Sequence, residues 1–262
     1  MPGPLKLLLG PVLLRQGRAV RRHALRLPEP EGPRAGVAGE GLLRLRLLVV
    51  GDSAAAGVGV DEQSLALAAP LAERLARVLQ GRVSWQLVAT TGHRAADTLK
   101  ALEQAPLLPA DAMVTSLGVN DAVGQTPVRH WLATLAALHT VAQRRAGVRH
   151  TWHSAVPPME RFPVLPQPLR WVLGRDAQRL DQALQRDLAG RSDRHHVALP
   201  AMPAEATGWM AQDGFHPGLR GYQAWTEALT RQMLLDGVGA LQPAGDDGAA
   251  GTGSADAPQL GQ

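Results

Sequence analysis

The sequence predicts an α/β protein built on a parallel sheet, and three observations carry that reading. Five short strand-like runs, at residues 45–50, 83–88, 112–116, 150–154 and 196–199, have the length of strands. Stretches with helical spacing separate them, which is the alternation that βαβ units produce. Polar clusters suited to chemistry follow three of the runs, and the carboxyl ends of strands are where open α/β sheets gather ligands.

Taken in order, residues 1–28 are basic and partly apolar, and residues 28–41 are rich in Pro and Gly and read as a linker. The folded domain is expected over 42–236. Its first run ends in Gly51-Asp52-Ser53, and Leu67, Leu71, Leu75 and Leu79 then mark a helix face. The second run leads to Thr90-Thr91-Gly92-His93 and the third to Gly118-Val119-Asn120-Asp121, followed by the stripe Trp131, Leu135, Leu138, Ala142. The fourth run opens into the Pro-rich loop 155–169, ahead of Leu173, Leu180, Leu184 and Leu188. The fifth precedes Asp213-Gly214-Phe215-His216 and a last stripe, Tyr222, Trp225, Leu229, Met233. These stripes are expected to be core. After Asp236 the composition turns to Gly, Ala, Asp and Ser, so 237–262 is expected to be a disordered tail.

Composition narrows the function classes. With 262 residues, 45% of them hydrophobic but only 3% aromatic, the chain can bury one core made of Ala, Leu and Val. Cys is absent, which removes disulfides and thiolate metal sites and fits a cytoplasmic location. The net charge of +4 does not describe the domain: six of the 27 Lys and Arg side chains (Lys6, Arg15, Arg18, Arg21, Arg22, Arg26) fall in residues 1–28, which hold no acid. That leaves 21 basic against 23 acidic side chains, so no nucleic-acid partner is expected. The leader is too short and too broken by Gly10-Pro11 to span a bilayer, and it runs into arginines rather than a cleavage site. It reads either as a peripheral membrane contact or as an element packed beside the domain with a solvated basic face.

A serine hydroxyl needs a neighbouring base to become a nucleophile, and an imidazole held by a carboxylate supplies one. Ser53 is the candidate nucleophile, His216 the base, and Asp213, three residues earlier on one loop, the group that orients the ring. The oxyanion of an acyl-transfer intermediate needs aimed donors, for which the backbone N–H of Ser53, that of Gly92 and the side-chain amide of Asn120 are available. In these blocks, in this order, the chain resembles the SGNH/GDSL hydrolase family. The resemblance implies a three-layer α/β/α sandwich on a flavodoxin-like, five-stranded parallel sheet, an ester hydrolase without metal or cofactor, and the roles just given. The chain departs from the family where the usual Leu or Ile after Gly-Asp-Ser is Ala54, the first of three alanines beside the nucleophile.

An acyl ester is the expected substrate, because the loop 155–169 offers Met159, Phe162, Val164 and Leu165 as apolar walls. An O-deacetylase on the same fold is the alternative, and transfer of the acyl group to an alcohol stays open. A phosphate- or flavin-binding protein is the outsider, since residues 51–59 are Gly-rich but hold neither Gly-Lys-Ser/Thr nor Gly-x-Gly-x-x-Gly. His93 is a rival base, while His150, His153, His195 and His196 lack the clustered partners of a metal site and read as packing residues. Asp52, Asp121, Thr90 and Thr91 are expected to serve turn and helix-start hydrogen bonds.

Overall fold

The computed structural model describes residues 8–203, 207–241 and 243. In chain order the elements are α1 (Gly10–His23), β1 (Ala35–Ala38), β2 (Leu43–Gly51), α2 (Ser53–Ala56), α3 (Ala68–Leu79), β3 (Arg82–Ala89), α4 (Ala95–Gln104), β4 (Ala112–Ser116), α5 (Val119–Val123), α6 (Val128–Ala146), β5 (His150–Ser154), α7 (Leu169–Leu188), β6 (Arg194–Val197) and α8 (Leu219–Leu235).

The sheet order is β1-β3-β2-β4-β5-β6, with β2 to β6 parallel and β1 antiparallel to β3. The five parallel strands are those the strand-like runs predict, and the sheet has a sixth. That strand, β1, lies inside the stretch read as a linker. Its four residues, Ala-Gly-Val-Ala, make no apolar run, and Val37 is exposed, so only pairing with β3 gives it away. Gly36 lies against the Trp85 indole, where a Cβ would stand 3.1 Å from Nε1, so the small residues let β1 approach that ring. The last strand also begins earlier than expected, at Arg194, because Arg194 and His195 occupy strand positions that an apolar pattern cannot reveal.

Side chains alternate across the parallel strands, and both faces are covered. Leu45, Leu47 and Val49 of β2 and Val114 of β4 pack with Leu71 and Leu75 of α3 and with Tyr222, Leu229 and Met233 of α8. Leu48, Val50 and Met113 point the other way, into Leu102 of α4, Trp131 and Leu138 of α6, and Leu180 and Leu184 of α7. Three layers result. From β2 the chain moves to β3 on one side and then crosses back to β4 on the other side of β2, so the direction of winding reverses there, at the crevice where doubly wound sheets bind ligands.

The first residues of the expected tail fold back: Val238 and Leu241 are buried in the α3/α8 core. Residue 242 and residues 244–262 lie outside the described residues. Among the described residues, no helix is long and apolar enough to cross a membrane.

Candidate active site

Ser53 stands at the end of β2 because the chain there must turn sharply. A Cβ on Gly51 would strike the Ser116 carbonyl oxygen and come within 2.7 Å of the Ala55 methyl, so only glycine lets β2, β4 and α2 meet. Asp52, in an extended conformation, caps α2 by accepting the Ala54 N–H at 3.1 Å, and its own N–H donates to Ser116 O at 3.2 Å. From α8 the buried Tyr222 hydroxyl reaches the carbonyls of Ala54 (3.0 Å) and Val58 (2.9 Å), pinning the turn that carries Ser53.

The loop before α8 supplies the partner. Asp213 Oδ1 accepts the backbone N–H groups of Phe215 (2.9 Å) and His216 (3.0 Å), and Oδ2 lies 2.5 Å from His216 Nδ1. His216 Nε2 lies 2.9 Å from Ser53 Oγ. Burial disfavours charge on Asp213, yet the bonds from the His216 ring and from the two N–H groups hold its carboxyl below the usual range. An ionised carboxylate only accepts, so Nδ1 carries the ring proton and Nε2 is free to accept the Ser53 hydroxyl. The geometry thus joins Ser53, His216 and Asp213 in one line, and it can move a proton off the hydroxyl.

Asn120 follows Gly118, whose φ of +131° and lack of a Cβ, which would come 2.5 Å from Val156 Cγ2, let β4 turn into α5. The Asn120 amide donates to His93 O at 3.0 Å and makes only a long contact, 3.5 Å, with Asp52 Oδ2. Gly92 has a φ of +83° on the loop after β3. Glu29 holds that loop by accepting the N–H (2.9 Å) and hydroxyl (2.7 Å) of Thr91. Asp121 accepts the first N–H of α4, from Ala95, at 3.0 Å. His93, the rival base, has a buried Nδ1 with no hydrogen-bond partner and is not the ring that meets Ser53. Burial pushes the Asp52 carboxyl up to about 7, although the Ala54 N–H and the His216 charge pull the other way.

Ser53 and His216 open into a cavity of about 350 Å³ whose wall is mostly apolar, with Leu117, Phe162, Met202, Trp209, Met210 and Trp225 among its side chains. Gly92 and Asn120 are not part of that wall. Of the four loop residues expected to bind an acyl group, Phe162 lines the cavity, whereas Met159 and Leu165 are buried in the α4/α6/α7 core and Val164 packs against it. An apolar side chain on a loop gains as much from a core as from a cavity wall, so an apolar loop pattern does not distinguish the two. Phe162 meets Phe215 edge-on at 5.1 Å, and Phe215 in turn meets the His216 ring at 5.1 Å. Trp225, expected only as core, also forms part of the wall. No apolar pattern in the sequence marks Met202, Trp209 and Met210. Their one signal is position, after the last strand and ahead of the Asp213 block. Among the described residues no three His, Cys, Asp or Glu side chains form a group that could hold a metal ion.

The profile of the GDSL-like lipase/acylhydrolase family matches residues 49–224, a span that holds Ser53, Asn120, Asp213 and His216. The chain belongs to this family. Solved structures agree with the fold of this GDSL-family protein. The lipase Lip_vut3 from a goat rumen metagenome is 16% identical, with a TM-score of 0.56 over 76% of this chain and 100% of its own. TesA is 23% identical, with a TM-score of 0.54 over 73% of this chain and 99% of its own. The psychrotrophic esterase EstA from Pseudoalteromonas sp. is 17% identical, with a TM-score of 0.54 over 73% of this chain and 98% of its own. No curated protein sequence matches the chain.

Proposed function

We propose that this GDSL-family ester hydrolase is a serine esterase that acts through an acyl-enzyme on carboxylic esters with an apolar acyl group. The observation that carries the reading is the 2.9 Å contact from Ser53 Oγ to His216 Nε2, backed by Asp213, at the mouth of a mostly apolar cavity. Ser53 Oγ attacks the ester carbonyl while His216 Nε2 takes its proton; His216 returns that proton to the leaving alkoxide, and water then cleaves the acyl–Ser53 ester by the same relay. The oxyanion is held by the Ser53 N–H, which starts α2 and has no intrahelical acceptor, by the Gly92 N–H, and by the Asn120 amide hydrogen that has only a long contact with Asp52. Phe162, Trp209, Met210 and Trp225 take the acyl chain, with room left by Ala54.

The test is turnover of p-nitrophenyl esters from acetyl to palmitoyl. Each buried methylene contributes up to about 0.8 kcal/mol, so kcat/KM should rise severalfold per two carbons until the cavity is full, and Ser53→Ala should abolish it throughout. Phe162→Ala should move the optimum. A preference for acetyl with no response to Phe162→Ala would favour an O-deacetylase, and turnover surviving in Ser53→Ala would remove the acyl-enzyme.

A further inference from the structure

Helix α1 lies outside the segment that matches the family, and its two faces differ in kind. The inward face docks. Leu13 and Val20 pack against the core cluster that includes α7, and the Gln16 side chain grips the start of α7 with both of its atoms. Its amide donates to Gln167 O at 2.6 Å and its carbonyl accepts the Leu169 N–H at 3.1 Å. The helix is therefore fixed to the end of the loop that begins in the cavity wall at residues 157–162.

The outward face is exposed. Arg15, Arg18 and Arg22 are spaced three and four residues apart and share one exposed ridge, and Leu8, Val12 and Leu14 beside them are exposed as well. Arg21, Arg22 and His23 sit in the last turn, where cations favour the helix dipole, but Arg15 and Arg18 are mid-helix. Among the described residues none of Arg15, Arg18, Arg21 and Arg22 pairs with a carboxylate, and α1 has no acid to satisfy them. Two residues beyond the N–H that Gln16 grips, Trp171 is exposed and carries the Arg175 guanidinium over its ring at 5.3 Å. Exposed cations, flanking aliphatics and a neighbouring exposed indole are the composition that settles at a lipid–water interface.

We infer that the outward face of α1 docks on an anionic phospholipid surface, with Arg15, Arg18 and Arg22 among the headgroups and Leu8, Val12 and Leu14 entering the interfacial layer. The attraction is charge complementarity: a ridge of cations without acids meets a surface of phosphates. Gln16 ties that contact to the substrate loop, so the cavity is carried to the membrane as one body with α1. The docking does not depend on the proposed chemistry, since it uses no residue of the catalytic line.

Sedimentation of the full chain with phosphatidylcholine vesicles, with and without phosphatidylglycerol, tests the assignment. Binding should require phosphatidylglycerol and fade at about 0.5 M salt, where the screening length is a few Å. Each cation near such a surface is worth roughly fivefold in partitioning, so the triple variant Arg15→Gln, Arg18→Gln, Arg22→Gln should bind about a hundredfold more weakly. Its turnover of a soluble p-nitrophenyl ester should match wild type, which reports that it is folded. Equal sedimentation of wild type and triple variant, or no binding by either, would overturn the proposal. So would tighter binding to duplex DNA than to the anionic vesicles, which would make α1 a nucleic-acid contact.

Discussion

Four histidine–carboxylate pairs occur among the described residues, two of them closer than 3 Å, and of those two only one meets a nucleophile. His216 and Asp213 approach to 2.5 Å and His196 and Asp181 to 2.9 Å, and the two imidazoles are similarly shielded, at 16% and 11% exposure. What differs lies on the far side of each ring. His216 turns its second nitrogen to Ser53 at the mouth of the cavity. His196 joins β6 to α7, and Asp181 spends the same oxygen on the Val156 N–H at 2.9 Å, holding the chain where it leaves β5. The neighbouring histidines go further in that direction. His153 is buried against the Thr115 hydroxyl and burial drives its pKa down to about 3, while His195 stacks on Trp152. A histidine–carboxylate pair is thus a fastener by default. It becomes chemistry only when a strand end, a tight turn and a cavity bring a hydroxyl to the other nitrogen.

The sharpest way to break this comparison is to remove each ring. His216→Ala should lower kcat for ester hydrolysis by about 10⁵- to 10⁶-fold, because the base acts as a unit with the nucleophile. His196→Ala should stay within a few-fold of wild type in turnover and instead cost about 1–2 kcal/mol of stability in urea unfolding, from the carboxylate left without its partner. Comparable losses of activity in the two variants would mean that the pairs are not distinct in kind.

A second contrast takes the carboxylates. Asp213→Asn should lower kcat by about 10³- to 10⁴-fold with the fold intact, since an amide facing Nδ1 no longer selects the tautomer that leaves Nε2 as acceptor. Asp181→Asn keeps an oxygen for the Val156 N–H and should leave kcat nearly unchanged. A normal rate in Asp213→Asn would move the orienting role elsewhere.

The difference between the two pairs is legible in the sequence only in part. Ser53, Asn120, Asp213 and His216 stand out because each follows an apolar run in a fixed order, and the parallel sheet stands out because its strands are buried on both faces. Contacts made at long sequence distance were not legible. The Asp181 partner of His196 belongs to a helix whose polar face resembles any solvated face, and β1 exists only through pairing with β3. The cavity wall shows the same limit. Phe162 and Trp225 come from segments with a readable apolar pattern, but Met202, Trp209 and Met210 come from irregular chain with no period. Met159 and Leu165, apolar residues of the same loop as Phe162, turned into the core instead.

The last contrast concerns stability rather than turnover, at the carboxyl beside the nucleophile, and it sets Asp52 against Asp213 by sign. Asp52 is raised from 3.8 to about 7 by burial, so between these values the unfolded chain has lost a proton that the folded chain keeps. Its contribution to stability therefore falls as pH rises from about 4 to about 7, by roughly 4 kcal/mol in all. Asp213 is lowered by its hydrogen bonds, so its contribution is present above the unfolded value and is lost as pH falls through the folded one. Asp52→Asn keeps an oxygen to cap α2 but has no proton to release. Its stability relative to wild type should improve steadily as pH is raised from about 4 to about 7.5, whereas that of Asp213→Asn should worsen with rising pH just above its folded value and then level off. Urea unfolding of the three proteins at several pH values reads both slopes. Parallel curves for wild type and Asp52→Asn would show that this carboxyl is ionised in the fold rather than held neutral by its burial.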